Sequence, residues 1–391
     1  MNNRSMKSLD KSRVVIVGCG LFGLTIARKI VEELDQEVLI IDKRDHIGGN
    51  AWSYDDPETG IEIHKYGSHL FHTSNLNVWN FINRFSSFSD YRHKVYSVHQ
   101  EQIYPMPINL ATISQFFGKV FTPKEAEVFL ESEIEVTGEA INLEQKAIKL
   151  VGTRLYEAFI KGYTAKQWQT DPKLLPPEII SRLPVRFNFD NSYFDDTYQG
   201  LPINGYHQLL NNLASHPKIS IQLNTDYFDV RDRIREDQLL IFTGPIDAFF
   251  DFSLGRLSWR TLDFEIETKD CRDFQGTSVV NYPDQTVPFT RIHEFRHFHP
   301  SKYKEVSKTV IMREYSRFAT SESDEPYYPV NTPNDRDLLL KYRGMANELQ
   351  NVIFGGRLGT YQYLDMHMAI GSALSKFESE FKTKYEKLTR K

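Results

Sequence analysis

The stretch VVIVGCGLFG, at residues 14–23, decides the fold of this chain. It begins with a short, nearly all-apolar run, which is typical of a buried parallel strand. Gly18, Gly20 and Gly23 stand in the spacing G-x-G-x-x-G, and the following LTIARKIVEEL repeats apolar residues at helical spacing. A second apolar run, EVLIID, ends at Asp42, 19 residues after Gly23. Strand, glycine-rich turn, helix, strand and acid in this order predict a β–α–β unit that binds a dinucleotide.

Each part of this unit has a physical role. The glycines permit a tight turn, close approach to a pyrophosphate and close packing of helix on strand, while Asp42 accepts a hydrogen bond from a ribose hydroxyl. The unit alone does not distinguish NAD from FAD. Gly48 and Gly49 follow in KRDHIGGNAW, where they let the backbone approach a ligand that extends past the adenosine half, as FAD does. Arg44 is placed to neutralise a phosphate; the alternative for this stretch is a glycine-rich surface turn.

The composition is that of an ordinary globular protein, with 391 residues, 40% hydrophobic and 25% charged, and a net charge of −5. This length suffices for two or three domains, and the charge gives no reason to invoke nucleic acid. No apolar run approaches about 18 residues, the length that a membrane span needs. The first residues, MNNRSMKSLDKSR, lack the apolar stretch of a signal peptide. With only two cysteines and no metal-site spacing, we expect a cytoplasmic protein.

The pattern changes along the rest of the chain. Residues near 75–185 are mostly helical in pattern, and from about residue 187 short strands rich in Phe, Tyr, Thr and Val follow. The helix GYHQLLNNLASH and the buried strand DQLLIFTG indicate that the chain returns to the nucleotide-binding unit at about residues 205–247. It returns again at NVIFGGRLGTYQYLDM, where we expect Asp365 to cap the last helix.

Two histidine-rich segments invite a metal interpretation, which we do not favour. HEFRH, at residues 293–297, matches the H-E-x-x-H motif of zinc hydrolases, which requires a helix. Here Phe and Ile alternate with polar residues between two prolines, so the pattern predicts a strand. The two histidines of a strand would lie roughly 13 Å apart, too far for one ion. His64, His69 and His72 surround Gly67, but no cysteine or carboxylate joins them at a metal-site spacing.

Taken together, the segments resemble the bacterial type of UDP-galactopyranose mutase, over nearly the whole chain from Val14 to about Phe377. The motifs that carry the resemblance are GCGLFG, EVLIIDKRDHIGGNAW, IHKYGSHLFHT, KGYTAKQW, SRLPVRFNFDNSYFDDTYQGLP, FTRIHE, DEPYYPV and GRLGTYQYLDM. The chain departs from the family pattern in three places. Asp42 replaces the more usual Glu, Gln169 stands where Gly is common, and Ser68 stands where Pro is expected.

The resemblance implies an α/β fold in which a discontinuous Rossmann-like FAD-binding domain is interrupted by a helical domain and an antiparallel β-sheet domain. We expect the FAD-binding domain at residues 13–80, 205–247 and 340–391, the mainly helical domain with a mobile substrate-side loop at 81–186, and the sheet domain at 187–204 and 248–339.

The resemblance also implies the reaction. Enzymes of this family interconvert UDP-galactopyranose and UDP-galactofuranose through an adduct of the sugar with N5 of reduced FAD, with no net redox change. An external reductant, a homodimer and a galactofuranose-containing surface polysaccharide as the sink are further implications. Loss of the diphosphate requires cationic groups where charge develops. Arg182 and Arg291 match the family's two phosphate-binding arginines, and guanidinium suits phosphate by its bidentate geometry.

Other residues are transferred from the family one by one. The remaining predicted substrate-binding residues are Tyr163, Thr164, Trp168, Tyr193, Arg260, Asn281, Tyr328 and Tyr363. The predicted cofactor-binding residues are Gly18, Gly20, Phe22, Gly23, Asp42, Lys43, Arg44, Gly49, Asn50, His69, His72, Gly356, Arg357, Tyr363, Asp365 and Met366. No metal ligands are predicted.

Three alternatives remain open at this point. A flavin oxidoreductase of the amine-oxidase or desaturase type shares the dinucleotide-binding motifs, but has no use for arginines and tyrosines around a diphosphate. A mutase could prefer UDP-N-acetylgalactosamine. A non-catalytic FAD- or NAD-binding protein would not depend on Arg182 and Arg291.

Overall fold

The structure is a computed structural model that describes residue 9 and residues 12–136, 138–180, 184–321 and 323–389. In chain order the strands are β1 Val14–Val17, β2 Val38–Ile41, β3 Ser53–Asp55, β4 Glu62–His64, β5 Phe71–Thr73, β6 Val95–His99, β7 Gln102–Met106, β8 Tyr198–Gly200, β9 Ile219–Gln222, β10 Leu239–Phe242, β11 Trp259–Lys269, β12 Val279–Asn281, β13 Arg291–Glu294, β14 Thr309–Phe318, β15 Tyr328–Pro329 and β16 Val352–Phe354.

The helices are α1 Leu21–Leu34, α2 Leu76–Ile82, α3 Leu110–Phe117, α4 Pro123–Ser132, α5 Leu143–Val151, α6 Thr153–Leu155, α7 Gly162–Trp168, α8 Gly205–Ala214, α9 Tyr227–Val230, α10 Ile246–Phe249, α11 Pro333–Glu348, α12 Gly356–Thr360, α13 Met366–Lys376 and α14 Lys382–Thr389. A π-helical turn at Tyr156–Lys161 joins α6 to α7, and another at Phe377–Phe381 joins α13 to α14.

One of the two large sheets is parallel and five-stranded, in the order β16-β10-β1-β2-β9. Successive side chains of a strand point to opposite faces, so β1 contributes to two cores. Ile16 packs in a cluster with α1 and α13, whereas Val15 packs on the other face with Tyr342 of α11. Helices on both faces explain why β1, β2 and β10 are buried along their whole length.

The other large sheet is seven-stranded, in the order β15-β11-β14-β13-β12-β6-β7. Its neighbouring strands are antiparallel except for β12 and β6, which are parallel. The predicted antiparallel sheet is therefore a mixed sheet, because β6 and β7 join it from the range that was expected to be mainly helical. The α/β fold class is confirmed, and the domain ranges stay a prediction; α11 crosses the expected boundary at residue 340.

The helical part, α3 to α7, packs around a core of its own that includes residues of β6 and β7. Asn109 and Thr122 close capping boxes at the starts of α3 and α4, which fixes where these helices begin. The π-helical turn before α7 brings Tyr163 and Trp168 toward the seven-stranded sheet. Across the described ranges, no helix has both the length and the apolar character to cross a membrane.

Candidate active site

A cleft of about 2010 Å³ lies between the two sheets. One wall is the carboxyl edge of the parallel sheet, with Gly18 after β1, Asp42 after β2 and Thr243 after β10. The opposite wall includes Arg291 of β13 and Glu314 of β14. Ligands of open α/β sheets bind at this carboxyl edge, so the cleft is the candidate site.

The glycine-rich turn after β1 leaves no space for side chains. Gly18 has φ of +102°, and a Cβ there would lie 1.9 Å from Oγ1 of Thr243. A Cβ on Gly23 would lie 2.1 Å from the carbonyl oxygen of Gly18. Glycine is thus required at both positions by packing, which confirms the tight turn that the sequence predicts.

The Gly48-Gly49 pair packs directly on this turn. Gly48 forms a parallel bridge with Gly20, and its N–H donates to the carbonyl of Cys19 at 2.7 Å. A Cβ on Gly49 would stand 3.2 Å from the Cα of Gly20. The second glycine pair therefore lets two backbone segments lie side by side at the floor of the cleft.

Asp42 organises the same floor. Its carboxylate accepts hydrogen bonds from the N–H groups of Cys19 at 2.7 Å and Arg44 at 2.9 Å. Burial, with Asp42 second, raises the pKa of the Cys19 thiol, so this cysteine stays neutral. Gly20 begins α1 without a capping side chain among the described residues, and the first turn holds no acid. A helix terminus of this kind suits an anionic phosphate, so the residues fit a dinucleotide.

Arg44 is held in place by neighbours rather than free in the cleft. It donates to Asn50 at 2.9 Å and to Glu325 at 2.7 Å, and lies 4.6 Å from the ring centre of Tyr66. Burial would lower the pKa of Arg44, but Glu325 outweighs it and raises that pKa. Lys43 also approaches Glu325, at 3.9 Å. The two cations therefore share the carboxylate of Glu325 at this end of the cleft.

A third group of predicted cofactor residues surrounds the start of α12. Gly355 lies so close to the ring of Phe22 that a Cβ would stand 2.1 Å from it. Arg357 donates to the carbonyl of Leu364 at 2.7 Å and covers the ring of Tyr363. Met366 begins α13 and lines the cleft with Gly356.

Asp365 occupies the N-cap position of α13, but its side chain makes no capping hydrogen bond, so the predicted side-chain cap is wrong. Its carboxylate instead accepts from the hydroxyl of Tyr363 at 2.7 Å. The nearby phenol competes with the helix N–H groups for the carboxylate.

His69 and His72 both line the cleft, in different settings. The N–H of His69 donates to Nδ1 of His64 at 3.0 Å, and its ring donates to the carbonyl of Gly67 at 2.6 Å. Burial, helped by His64, lowers the pKa of His69 to about 3, so its ring is neutral. His72 bonds to Asp196 at 2.6 Å and stacks on Phe194 with ring centres 3.7 Å apart.

Arg291 is the cation of the opposite wall. It contacts the hydroxyl of Tyr163, and its Nε lies 3.5 Å from Glu314. Burial would lower the pKa of Arg291, but Glu314 outweighs it and holds the guanidinium charged. Arg182, the other predicted phosphate-binding arginine, lies outside the described residues, so its role stays a prediction.

The predicted tyrosines surround Arg291 unevenly. Tyr328 and Tyr363 stack at 5.6 Å and line the cleft, and burial raises the pKa of Tyr328 to about 12. Tyr193 also lines the cleft and is 41% exposed. Tyr163 lies behind Arg291 and does not line the cleft.

Three further predicted substrate residues differ in position. Trp168 and Asn281 line the cleft, and the buried Oδ1 of Asn281 has no hydrogen-bond partner among the described residues. Such an atom is available to a ligand. Thr164 is 7% exposed and packs away from the cleft.

Arg260 is not among the residues that line the cleft, and its role near phosphate stays a prediction. It is 1% exposed and donates to the carbonyl of Gln167 at 2.9 Å and to the hydroxyl of Ser316 at 2.9 Å. Burial lowers the pKa of Arg260 to about 10. Nη2 thus joins β11 to the end of α7, whereas the buried Nε and Nη1 have no hydrogen-bond partner among the described residues.

The segment HEFRH is only partly a strand. β13 ends at Glu294, and a 3-10 turn covers Phe295–Phe298. His293 bonds to Ser68 and Glu314, whereas His297 lies against Asp273 and Glu294. The two histidines therefore have separate partners. The zinc interpretation would require both of them to face one ion.

Two groups of three residues do bring possible ligand atoms within 4.8 Å of one another. They are His72, Asp365 and His367, of which the first two line the cleft, and Asp273, Glu294 and His297 outside it. The carboxylate of Glu294 already accepts from two backbone N–H groups and from Thr309. Hydrogen bonding within the chain accounts for that second group.

Sequence reasoning missed Ser68, His93, His293 and Glu314 as lining residues of the cleft. A signal existed for His293, because it lies two residues after Arg291 on a strand and shares its face. Glu314 gave no such signal, since only the pairing of β13 with β14 sets it opposite Arg291.

This fold and cleft define an enzyme of the dinucleotide-binding α/β class, in which a second sheet covers the carboxyl edge of a Rossmann-like sheet. Residues 16–85 match the model of an NAD(P)-binding Rossmann-like domain, and residues 158–363 match the UDP-galactopyranose mutase family. The chain belongs to the UDP-galactopyranose mutase family and is an isomerase.

Similar proteins support the family assignment over nearly the full length of the chain. A probable UDP-galactopyranose mutase of Klebsiella pneumoniae is 43% identical over 94% of both chains. A dTDP-fucopyranose mutase of Escherichia coli is 41% identical, over 93% of this chain and 97% of the relative. A crystal structure of reduced UDP-galactopyranose mutase has the same fold, with a TM-score of 0.74 at 15% identity, covering 95% of this chain and 94% of the other.

The fold also extends beyond mutases. An oxidoreductase from Methanosarcina mazei superposes with a TM-score of 0.52 at 13% identity, over 86% of this chain and 83% of the other. The fold alone therefore does not separate mutases from oxidoreductases, whereas the sequence relationship does.

Proposed function

We propose that this enzyme interconverts UDP-galactopyranose and UDP-galactofuranose with reduced FAD as its cofactor. The observation that carries the proposal is the position of Arg291, a charged and partly exposed guanidinium in the wall that faces the glycine-rich cradle. A bound cofactor and the diphosphate of a nucleotide sugar then meet in one cleft.

Different residues of the chain would bind different parts of the cofactor. The turn at Gly18–Gly23 and the N-terminus of α1 suit the pyrophosphate, Asp42 the adenosine ribose, and the start of α13 the ring end. When bound and reduced, FAD supplies the nucleophile for the anomeric carbon. His69 is buried and neutral, so its own ring adds no positive charge at this end of the cleft.

The opposite wall would act on the leaving diphosphate. Arg291 is held charged by Glu314, and the phenols of Tyr328 and Tyr363 line the same region. Fixed cations and donors stabilise charge that develops as the sugar–phosphate bond breaks, because they need no reorganisation. Arg182, in our proposal, supplies the second cation from a loop that closes over the substrate.

A second candidate substrate is the dTDP-fucose pair of isomers, which the name of the relative at 41% identity favours. Both nucleotide sugars carry the diphosphate that Arg291 would bind, so the clamp does not distinguish them. UDP-N-acetylgalactosamine is a further variant of the same chemistry.

The cellular setting is part of the proposal. We infer a cytoplasmic homodimer that depends on an external reductant and supplies galactofuranose for surface polysaccharide. The family relationship supports this setting, and the cleft itself accounts only for the reaction.

The test is chromatography of the purified protein with UDP-galactofuranose and dTDP-fucofuranose in separate reactions, each with and without dithionite. Conversion of UDP-galactofuranose that requires dithionite supports the proposal, and preferential conversion of the dTDP-sugar selects the second candidate. Turnover of an electron acceptor with oxidised product, and no isomerisation, would favour the oxidoreductase instead.

A further inference from the structure

We propose that Ser68, His293 and Glu314 form a positioning network that ties the loop carrying His69 to Arg291. The inference rests on the proposed function, because it gives Arg291 a diphosphate to bind. It adds three residues that act through Arg291 and the loop, and not by touching the reacting atoms.

The network is a continuous chain of contacts across the cleft wall. The hydroxyl of Ser68 lies 2.6 Å from Nδ1 of His293, and Nε2 of His293 lies 3.1 Å from Glu314. The other oxygen of Glu314 lies 3.5 Å from Nε of Arg291. Arg291 contacts the hydroxyl of Tyr163 at the far end.

The charges set the direction of each hydrogen bond. Burial would raise the pKa of Glu314, but Arg291 and His293 outweigh it and hold that pKa at about 2, so the carboxylate only accepts. Burial lowers the pKa of His293, which is therefore neutral with its proton on Nε2. Nδ1 then accepts, and Ser68 must donate.

The central residues of this network are buried, so water molecules cannot easily replace their hydrogen bonds. His293 is 1% exposed and Glu314 is 5% exposed. Glu314 faces Arg291 in the register of β13 and β14, so the sheet itself sets their separation. Nε of Arg291 makes no hydrogen bond among the described residues, so the contact of the guanidinium with the carboxylate is an ion pair, and His293 holds that carboxylate from the other side.

The loop is held against the same wall. Gly67 has φ of +93°, and a Cβ there would lie 3.4 Å from the ring of Phe264 and 3.8 Å from Glu314. The backbone N–H of His69 is anchored separately, on His64. Ser68 is thus the side chain that couples this loop to the phosphate-binding arginine, at a position where proline, which has no hydroxyl, would be expected.

The test is a double-mutant cycle on the FAD-loaded enzyme, read as the dissociation constant of UDP by calorimetry. We expect Ser68→Ala to weaken UDP binding about 5- to 20-fold in the native background and less than about twofold in an Arg291→Lys background. Such non-additivity is what coupled residues show, and independent residues do not. Ser68→Thr, which keeps a hydroxyl, should restore most of the affinity.

Two controls separate positioning from general damage. Ser86→Ala removes a hydroxyl whose one hydrogen bond within the described part of the chain is to the neighbouring Ser87 carbonyl, and it should leave UDP affinity unchanged. The visible spectrum of each variant reports the bound flavin. Should Ser68→Ala lose the flavin, Glu314→Gln, which keeps the size and removes the charge, replaces it in the cycle.

Equal effects of Ser68→Ala in both backgrounds, or no effect in either, would overturn the network. An enzyme that binds UDP but isomerises neither nucleotide sugar would overturn the proposed reaction and leave the network standing. An enzyme that binds neither UDP nor dTDP would overturn both.

Discussion

Gln169 shows at the scale of one residue how this chain tolerates a departure from glycine. It ends α7 in the left-handed conformation, with φ of +49°, which costs a side chain about 1–2 kcal/mol. Its Nε2 donates to the carbonyl of Lys166 at 2.9 Å, and one such bond offsets about 1 kcal/mol.

We therefore expect Gln169→Ala to lower the free energy of unfolding by about 1 kcal/mol, because the backbone cost stays and the hydrogen bond is lost. Gln169→Gly, which removes both, should be at least as stable as the native chain. Denaturant unfolding of the three proteins measures the order. An alanine variant more stable than the glycine variant would contradict this account.

Arg291 carries the prediction on catalysis. Arg291→Ala removes a charged donor from the leaving diphosphate, which typically costs about 10²–10³ in rate. Steady-state assay of the reduced enzyme measures the loss. Arg313→Ala, on the neighbouring strand and paired with Glu265 and Glu267, is the matched control and should retain the native rate. A near-native rate for Arg291→Ala would remove the phosphate clamp from the proposal.

At the scale of elements, the two glycine-rich segments make a prediction about cofactor binding. In Gly49→Ala the new Cβ would press on the backbone of Gly20, 3.2 Å away, and separate the segment from the turn. We expect FAD to bind at least about tenfold more weakly, a loss of about 1.4 kcal/mol in binding free energy. Titration of the flavin-free protein with FAD, followed by flavin fluorescence, measures this.

Gly60→Ala is the control for backbone strain. Gly60 has φ of +68°, close to the +57° of Gly49, but beyond its chain neighbours no atom of the described residues lies within 4 Å of a Cβ placed there. It should bind FAD as the native protein does. Equal losses in both variants would mean that strain, and not the contact with Gly20, weakens binding.

A lysine joins α7 to the loop between β12 and β13. Nζ of Lys166 donates to the carbonyls of Asp284, Val287 and Phe289, each at 2.9 Å, and to that of Tyr282. Lys166→Met keeps the chain length and removes these charge-assisted bonds, so we expect unfolding free energy to fall by about 2–3 kcal/mol.

Denaturant unfolding measures this loss, and hydrogen exchange should increase at residues 282–289. Lys161→Met, at a partly exposed residue 3.6 Å from Glu157, is the control and should change stability by less than about 1 kcal/mol. Unchanged exchange in the loop would contradict the bridging role.

The sequence predicted some elements well and missed others for identifiable reasons. β1, α1 and β2 have patterns that only one structure satisfies, and the glycine spacing fixes the turn between them. β6 and β7 were missed, since Pro105 interrupts β7 and proline argues against a central strand. β7 is an edge strand, where proline is tolerated.

At the scale of the whole molecule, the site depends on contacts that the sequence does not encode locally. Ser68 and His293 are 225 residues apart along the chain, yet their side chains meet. Arg260 illustrates the converse: residue type and family position predict a place near phosphate, but its side chain is buried and does not line the cleft. Both positions depend on which distant strands pair and on the sheet face to which each side chain points. The periodicity of the sequence alone predicts neither.

The buried histidines give the whole molecule a predicted acid sensitivity. Burial lowers the pKa of both His64 and His93 to about 3, and these side chains are 2% and 5% exposed. Their pKa in the unfolded chain is about 6.5, so below that pH the unfolded chain binds more protons than the folded one. Stability is therefore fully present above about pH 6.5 and is lost as pH falls toward 3.

Each such histidine contributes about 1.4 kcal/mol per pH unit. Together with His69, whose pKa burial also lowers to about 3, they should remove about 4 kcal/mol per unit between about pH 6 and pH 5. Carboxylates such as Glu314 take up protons mainly below about pH 4.5, so they add little in this window. Denaturant unfolding at half-unit intervals measures the slope. His93→Phe, which keeps an aromatic ring, should reduce the slope by about one proton, and an unchanged slope in that variant would show that His93 accepts its proton while folded.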